Sequence, residues 1–296
     1  MPRSPIRNRI EYLAARLLLG LLAMLPFRAA MVLAARVFSL LDFAMPRWRT
    51  TARRNLALAE FPEDSREAII EAMFRSLARS VACLAKFPRL HGGNIGDWIR
   101  YEGLEHFTEA KRRGKGVLFY TAHLGNWELS AFAHGLMSEP MCVMVRPLDN
   151  PLLNALASRY RTGSGNRILD KKDSARDVLK ALKANLAVGI LADQNASLTE
   201  GVFVDFFGVK ACAHAGFARL AAHSGATVIP GFALWSNQEC RYVLRFYPPV
   251  EMTGDAAADT QALHNCLESV IRAFPEQWLW IHRRWKTRPP GQPDVY

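Results

Sequence analysis

The chain lacks what several common chemistries need. Its 296 residues contain no GxSxG, and "GSG" at 163–165 follows a helical pattern where a nucleophilic serine would follow a strand. No GxxxxGK[ST] and no GxGxxG occurs, which removes the two phosphate-cradling glycine loops. The cysteines are few: Cys83, Cys142, Cys212, Cys240 and Cys266 are odd in number and form no CxxC. Neither a disulfide framework nor a zinc spacing is present, as suits a reducing compartment. Residues 1–60 hold no lysine. Nor does the N-terminal region offer the roughly 20 continuous apolar residues of a spanning helix. Its run Leu17–Leu25 is short and lies between Arg16 and Arg28, and the next apolar segment, Ala29–Leu41, is interrupted by Arg36.

What is present begins with charge. The net charge of +11 sits at the ends. Residues 1–60 carry ten arginines against Glu11, Asp42 and Glu60, and residues 279–296 carry Arg283, Arg284, Lys286 and Arg288 against Asp294. Basic ends around a nearly neutral body point to a polyanionic surface, membrane or nucleic acid. A nucleic-acid reading finds no aromatic-interleaved strand and no helix-turn-helix pattern. The arginines flank apolar runs instead, the composition of a helix lying in a membrane interface. Arg3, Arg7 and Arg9 precede the first run as in a secretory signal, but Arg28 stands where a cleavage site needs small neutral residues. A retained membrane-associated arm, residues 1–60, is the expectation.

Residues 5–88 read as helical, with Pro26, Pro46 and Pro62 each opening a new helix. Beyond the loop "HGGNIGDW" (91–98) the pattern changes. Apolar strands "GVLFYTA" (116–122), "MCVMVR" (141–146), "RIL" and "LAVGILAD" (186–193) alternate with helices, one of them "AHAGFARLAAHSG". "ATVIPGFALW" and "RYVLRFYPPV" then form an antiparallel hairpin, and a helix ending at "IRAF" closes the pattern. Such alternation predicts an α/β fold with a mostly parallel central sheet and helices on both faces, here over residues 61–296.

Ligands of open α/β sheets gather beyond the carboxyl ends of the strands. At the exit of "GVLFYTA" stands "HLGNWE", with His123 and Glu128 five positions apart. On one continuous helix they would point about 140° apart, so they can meet only if the chain turns between them. Gly125 permits that turn and Asn126 can cap the helix that follows. Two readings stay open on this pattern alone. One is a helix cap beside an ordinary loop histidine; the other is a general base with its orienting carboxylate. His214 and His223, nine apart on one predicted helix, are poorly placed as joint metal ligands. "PEQWLWIHRRWK" (275–286) interleaves Trp278, Trp280 and Trp285 with Arg283, Arg284 and Lys286, which suits either a membrane interface or a packed cluster.

"HLGNWE" resembles the HxxxxD/E motif of the glycerolipid acyltransferases. With "RRNLALAEFP" (53–62), "VRPLDNPLLNALASRYR" (145–161), "ILADQ" (190–194), "GVFVDFFGVKA" (201–211), "GATVIPGF" (225–232) and "PEQWLWIHRRWK", the chain resembles the lipid A late acyltransferases nearly throughout. These are the lauroyl/myristoyl transferases of Gram-negative bacteria. One departure is Ala213 and His214, where such proteins often carry a threonine.

The resemblance implies acyl transfer from acyl carrier protein to a hydroxyl of a lipid A precursor, at the cytoplasmic face of the inner membrane, with no metal and no cofactor. His123 would be the base and Glu128 its orienter. Backbone N–H groups near Gly125 and Asn126 would hold the oxyanion. Arg146, Arg161, Asp193 and Gln194 would bind substrate, Arg146 through the acceptor phosphate. The alternatives are an acyl-CoA-dependent enzyme acting on a lysophospholipid or other glycolipid, and an inactive membrane-binding scaffold.

Overall fold

The computed structural model describes residues 4–170 and 174–296; Arg3, weighed above as part of a signal, lies outside them. Helices α1 (Pro5–Met24), α2 (Phe27–Ala44), α3 (Pro46–Leu58) and α4 (Glu63–Leu84) come first. Then follow β1 (Ile99–Glu102), α5 (Leu104–Arg112), β2 (Val117–Thr121), α6 (Trp127–Met137), β3 (Cys142–Val145), α7 (Pro151–Thr162), β4 (Arg167–Asp170) and α8 (Ser174–Lys183). β5 (Ala187–Leu191), β6 (Gly201–Phe206), β7 (Val209–His214), α9 (Gly216–Ser224), β8 (Thr227–Ser236), β9 (Arg241–Phe246) and α10 (Ala256–Ala273) complete the order.

Seven strands form one sheet in the order β1-β9-β8-β2-β5-β3-β4. Within it only β8 and β9 pair antiparallel, as the predicted hairpin; every other pairing is parallel. Strand alternation divides the core. Leu118 and Tyr120 of β2 join a cluster with Ile70, Val228 and Leu267, while Val117 and Phe119 join another with Phe107, Phe132 and Ile229. The sheet is therefore covered on both faces, as its continuous apolar strands require.

Two elements depart from the sequence reading. "GVFVDFFGVKACAH" is a separate antiparallel hairpin of β6 and β7. Its turn places Phe207 and Gly208 at positive φ, 55° and 73°. The helix expected from Ala213 consequently starts at Gly216, and His214 ends a strand while His223 lies on α9. β1 forms just beyond the expected loop and pairs with β9.

The prolines act as expected: Pro26 and Pro62 precede the first residues of α2 and α4, and Pro46 is the first residue of α3. The end of α1 is fastened to the body by Lys86, whose buried ammonium donates to the carbonyls of Leu22, Ala23 and Leu25. These are the oxygens a helix terminus leaves unpaired. On the outer side of α1, Ile6, Ile10, Leu13, Leu17, Leu21 and Met24 recur at helical spacing and are all exposed. Among the described residues no single helix is long and apolar enough to cross a membrane; α2 and α3 together reach that composition but meet at an 89° bend.

Candidate active site

Parallel pairing of β2 with β5 sets residue 117 beside 187 and residue 121 beside 191. Carried two residues past the strand ends, the same register brings His123 beside Asp193. His123 Nδ1 lies 2.8 Å from Asp193 Oδ1, and the His123 backbone N–H donates to Asp193 Oδ2 at 3.1 Å. Trp278 Nε1 donates to the same Oδ2 at 3.0 Å. Asp193 is 3% exposed. A buried carboxylate with three donors is fixed in place and accepts from Nδ1–H, leaving the lone pair on His123 Nε2.

The electrostatics agree with this geometry. For His123, burial opposes the charged ring, but the charge and hydrogen bond of Asp193, with the charge of Glu128, leave its pKa raised above 6.5. For Asp193, burial favours the neutral acid, yet the charge of His123 and the hydrogen bonds from His123 and Trp278 hold the carboxyl well below the usual carboxylate range.

Glu128 is elsewhere. Its carboxylate takes Arg161 Nε at 2.9 Å and Nη2 at 2.5 Å, a two-pronged pair between α6 and α7. The contact expected between His123 and Glu128 is thus replaced by two pairs, His123–Asp193 and Arg161–Glu128. The reason is local. Asn126 caps α6, its side chain accepting the N–H of Leu129, so Glu128 belongs to the first helical turn and faces α7. Gly125 makes the preceding turn at φ 65°, where a Cβ would lie 2.0 Å from the Ala233 carbonyl oxygen. The expected oxyanion donors are already engaged: the Gly125 N–H bonds to the Gln277 carbonyl and the Asn126 N–H to the Ala233 carbonyl, each at 2.9 Å.

The remaining candidates spread around this centre. Asp193, expected to meet substrate, is enclosed and serves His123. Gln194 is half-buried in the turn just beyond it. Arg146 follows β3 on the same edge of the sheet, but β5 lies between β2 and β3. It is therefore about 10 Å away by strand spacing, and its 79% exposed side chain lies 3.5 Å from Asp149. Trp278, Trp280, Trp285 and Arg284 are all at most 2% exposed, so the C-terminal tryptophans are a packed cluster and not an interfacial belt.

A small, mostly apolar cavity of about 60 Å³ is lined by Glu128, Arg161 and Trp127 together with His134 and Phe246. Trp127 is part of its lining, with its ring 5.1 Å from that of His123. Gly189 keeps part of the floor open, and the flexible Met141 and Met144 line the sides. His134, buried and bonded to the Tyr101 hydroxyl at 2.7 Å, is pushed down to about 3 by burial and stays neutral. No spacing in the sequence pointed to His134 or Trp278 as neighbours of the site; both come from tertiary packing.

The sequence matches the family described as "Bacterial lipid A biosynthesis acyltransferase" over residues 5–287. It is 31% identical to the lipid A biosynthesis lauroyltransferase of Escherichia coli, covering 85% of this chain and 83% of that protein. Against the E. coli lipid A biosynthesis palmitoleoyltransferase the identity is 30%, over 94% and 92%. A lipid A biosynthesis acyltransferase of Haemophilus influenzae is 27% identical over 93% and 87%.

Proposed function

Because the chain belongs to the bacterial lipid A biosynthesis acyltransferases, we propose that it moves a fatty acyl group from acyl carrier protein to a hydroxyl of a lipid A precursor, with His123 as general base. The observation that carries this reading is a histidine held by a buried carboxylate, its ring 5.1 Å from that of Trp127, which lines an apolar cavity. Its apolar lining suits the part of an acyl chain nearest the thioester, whose transfer out of water contributes about 0.8 kcal/mol per methylene. Met141 and Met144 adapt its width.

His123 Nε2 takes the proton of the acceptor hydroxyl as that oxygen attacks the thioester carbonyl. The imidazolium so formed is balanced by Asp193 and then returns the proton to the departing thiolate. An ester forms and a thioester breaks, with no covalent enzyme intermediate. Arg161 presents Nε and Nη2 to Glu128; its Nη1 supplies positive charge toward the tetrahedral oxyanion, in place of the engaged N–H groups of Gly125 and Asn126. Glu128 thus acts by holding Arg161 and by adding negative charge near the imidazolium. Gln194 contacts substrate from the turn beyond Asp193. Arg146, beside the exposed Leu148 and Leu152, is an outer contact for acceptor phosphate at the lipid surface.

Residues 1–60 form the membrane-associated arm. The exposed stripe on α1, together with the exposed Val32, Leu40 and Phe43 of α2, lies in the cytoplasmic face of the inner membrane, with the α/β domain of residues 61–296 on the aqueous side. The test is expression in a strain lacking its own late acyltransferases, followed by mass spectrometry of lipid A. One added fatty acyl mass that disappears with His123→Ala supports the reading. Unchanged lipid A alongside acylation of a lysophospholipid from acyl-CoA would replace it.

A further inference from the structure

The C-terminal segment and α3 border a second, open hollow of about 420 Å³, lined by Arg47, Trp48, Thr51, Ile281, His282 and Arg283. It belongs to the other side of the sheet from the apolar cavity: Ala52 and Leu56 of α3 pack in the cluster of Leu118 and Tyr120, whereas the cavity is lined by Phe119 and Thr121. The hollow is nonetheless close to the reacting centre. The Leu279 N–H donates to the His123 carbonyl at 3.0 Å, and His282 Nε2 accepts the N–H of Asn195, two residues past Asp193, at 3.1 Å.

The charges of α3 are divided between its faces. Arg49 is bound by Asp42 and Glu67, both at 2.6 Å, and Arg53 is bound by Glu67. Arg47, Thr51 and Arg54 recur at i, i+4 and i+7 on a different face. Among the described residues, Arg47 and Arg283 have no carboxylate partner; Arg283 lies over the Tyr296 ring, 5.6 Å from its centroid. The third polar group is His282. Because its Nε2 accepts a hydrogen bond, the proton of the neutral ring is on Nδ1. Burial pushes the ring down to about 4, so it is a neutral donor at physiological pH. Seven and four positions before Arg47, at the end of α2, stand two strongly exposed apolar residues, Leu40 at 70% and Phe43 at 89%. Apolar side chains followed by unpaired arginine is the succession that a lipid headgroup boundary selects.

We propose that this hollow is a subsite for an anionic group, phosphate or sugar carboxylate, on the head of the acceptor lipid, with Arg47 and Arg283 as its guanidinium ligands and His282 Nδ1–H as a neutral donor. The proposal rests on the acyltransferase reading above. It deepens that reading by giving acceptor and acyl chain separate openings, from which the hydroxyl and the thioester converge on His123. A concave hollow of this size, with two guanidinium groups in its lining, suits a phosphorylated or acidic sugar head. The acidic surface of a carrier protein is the competing occupant, and it would need a broad convex contact.

The test is steady-state kinetics of the full-length chain in mixed micelles, with a phosphorylated glucosamine-disaccharide lipid that also bears an acidic sugar as acceptor. Arg47→Ala and Arg283→Ala are each expected to raise acceptor KM about 10-fold, the scale of a lost charge-assisted contact, with donor KM within twofold. Arg→Lys should recover part of the loss, because an ammonium keeps the charge but not the planar fork. Arg113→Ala, before β2 on the opposite edge of the sheet, should change neither constant. The penalty should vanish with a phosphatase-treated acceptor if the group is phosphate, or with an acceptor lacking its acidic sugar if it is carboxylate. A raised donor KM with unchanged acceptor KM would give the hollow to the carrier protein and overturn the proposal. A penalty that persists on both stripped acceptors, or no penalty at all, would also overturn it. Failure of the wild type to turn over this acceptor would sink the acyltransferase reading itself, a distinct result.

Discussion

Two ion pairs stand within a few residues of each other at the exit of β2, and they are built differently. His123–Asp193 joins two neighbouring parallel strands; the carboxylate is buried, takes three donors and has a strongly depressed pKa. Arg161–Glu128 joins two helices, with both side chains about one-fifth exposed. The first is fixed by the sheet register, and its carboxylate is shut off from water. The second is partly screened by water, so its net contribution is smaller. HxxxxE looks like one unit along the chain, yet its two residues work in separate pairs whose partners lie 70 and 33 positions away.

Breaking the buried pair should have the largest effect. His123→Ala removes the base, and acyl transfer should fall by about 10²- to 10⁴-fold in a protein that still folds. Steady-state rates with circular dichroism check it. Asp193→Asn should cost about 10²-fold or more, because an amide donor at Nδ1 turns the ring to the tautomer that carries its proton on Nε2.

The same variant should alter the pH dependence of stability. The raised His123 contributes stability that is fully present below pH 6.5 and lost as pH rises through its folded pKa. The depressed Asp193 contributes stability that is present above 3.8 and lost as pH falls through its folded value. The gap in melting temperature between wild type and Asp193→Asn should therefore be widest between about pH 4 and 6.5 and narrow above it.

The helix-borne pair should respond more mildly. Glu128→Gln should lower the rate about 10-fold, the loss following Arg161 more than His123. Arg161→Ala combined with Glu128→Gln should then cost little more than Arg161→Ala alone, as a double-mutant cycle can read. The smallest effect is expected from Trp278→Phe, which removes one of three hydrogen bonds to Asp193. A few-fold loss of rate is expected, read from steady-state kinetics.

Much of the fold was legible because its strands are buried runs separated by amphipathic helices. "GVLFYTA", "LAVGILAD" and the β8–β9 hairpin carry their type in composition alone. β6 and β7 were missed, although Val202, Val204 and Phe206 alternate, then Val209, Ala211 and Ala213; the turn at Phe207–Gly208 hid the hairpin because phenylalanine is an unusual residue at positive φ. His123 was visible at a strand exit. Its partner was not, because proximity along the chain favoured Glu128, whereas the contact with Asp193 depends on which strand lies beside β2. Strand order cannot be read from periodicity. The tryptophans of "PEQWLWIHRRWK" went unplaced for a related reason: a packed cluster and an interfacial belt share one composition and differ only in burial.

The central claim, that Asp193 and not Glu128 sets the state of His123, is tested most directly by NMR titration of the His123 ring in the full-length chain, assigned by comparison with His123→Gln. The wild-type ring should titrate above 6.5. Asp193→Asn should drop it below that value, since burial then acts without the opposing carboxylate, and Glu128→Gln should lower it only slightly. A ring that keeps its wild-type titration in Asp193→Asn but loses it in Glu128→Gln would contradict the account.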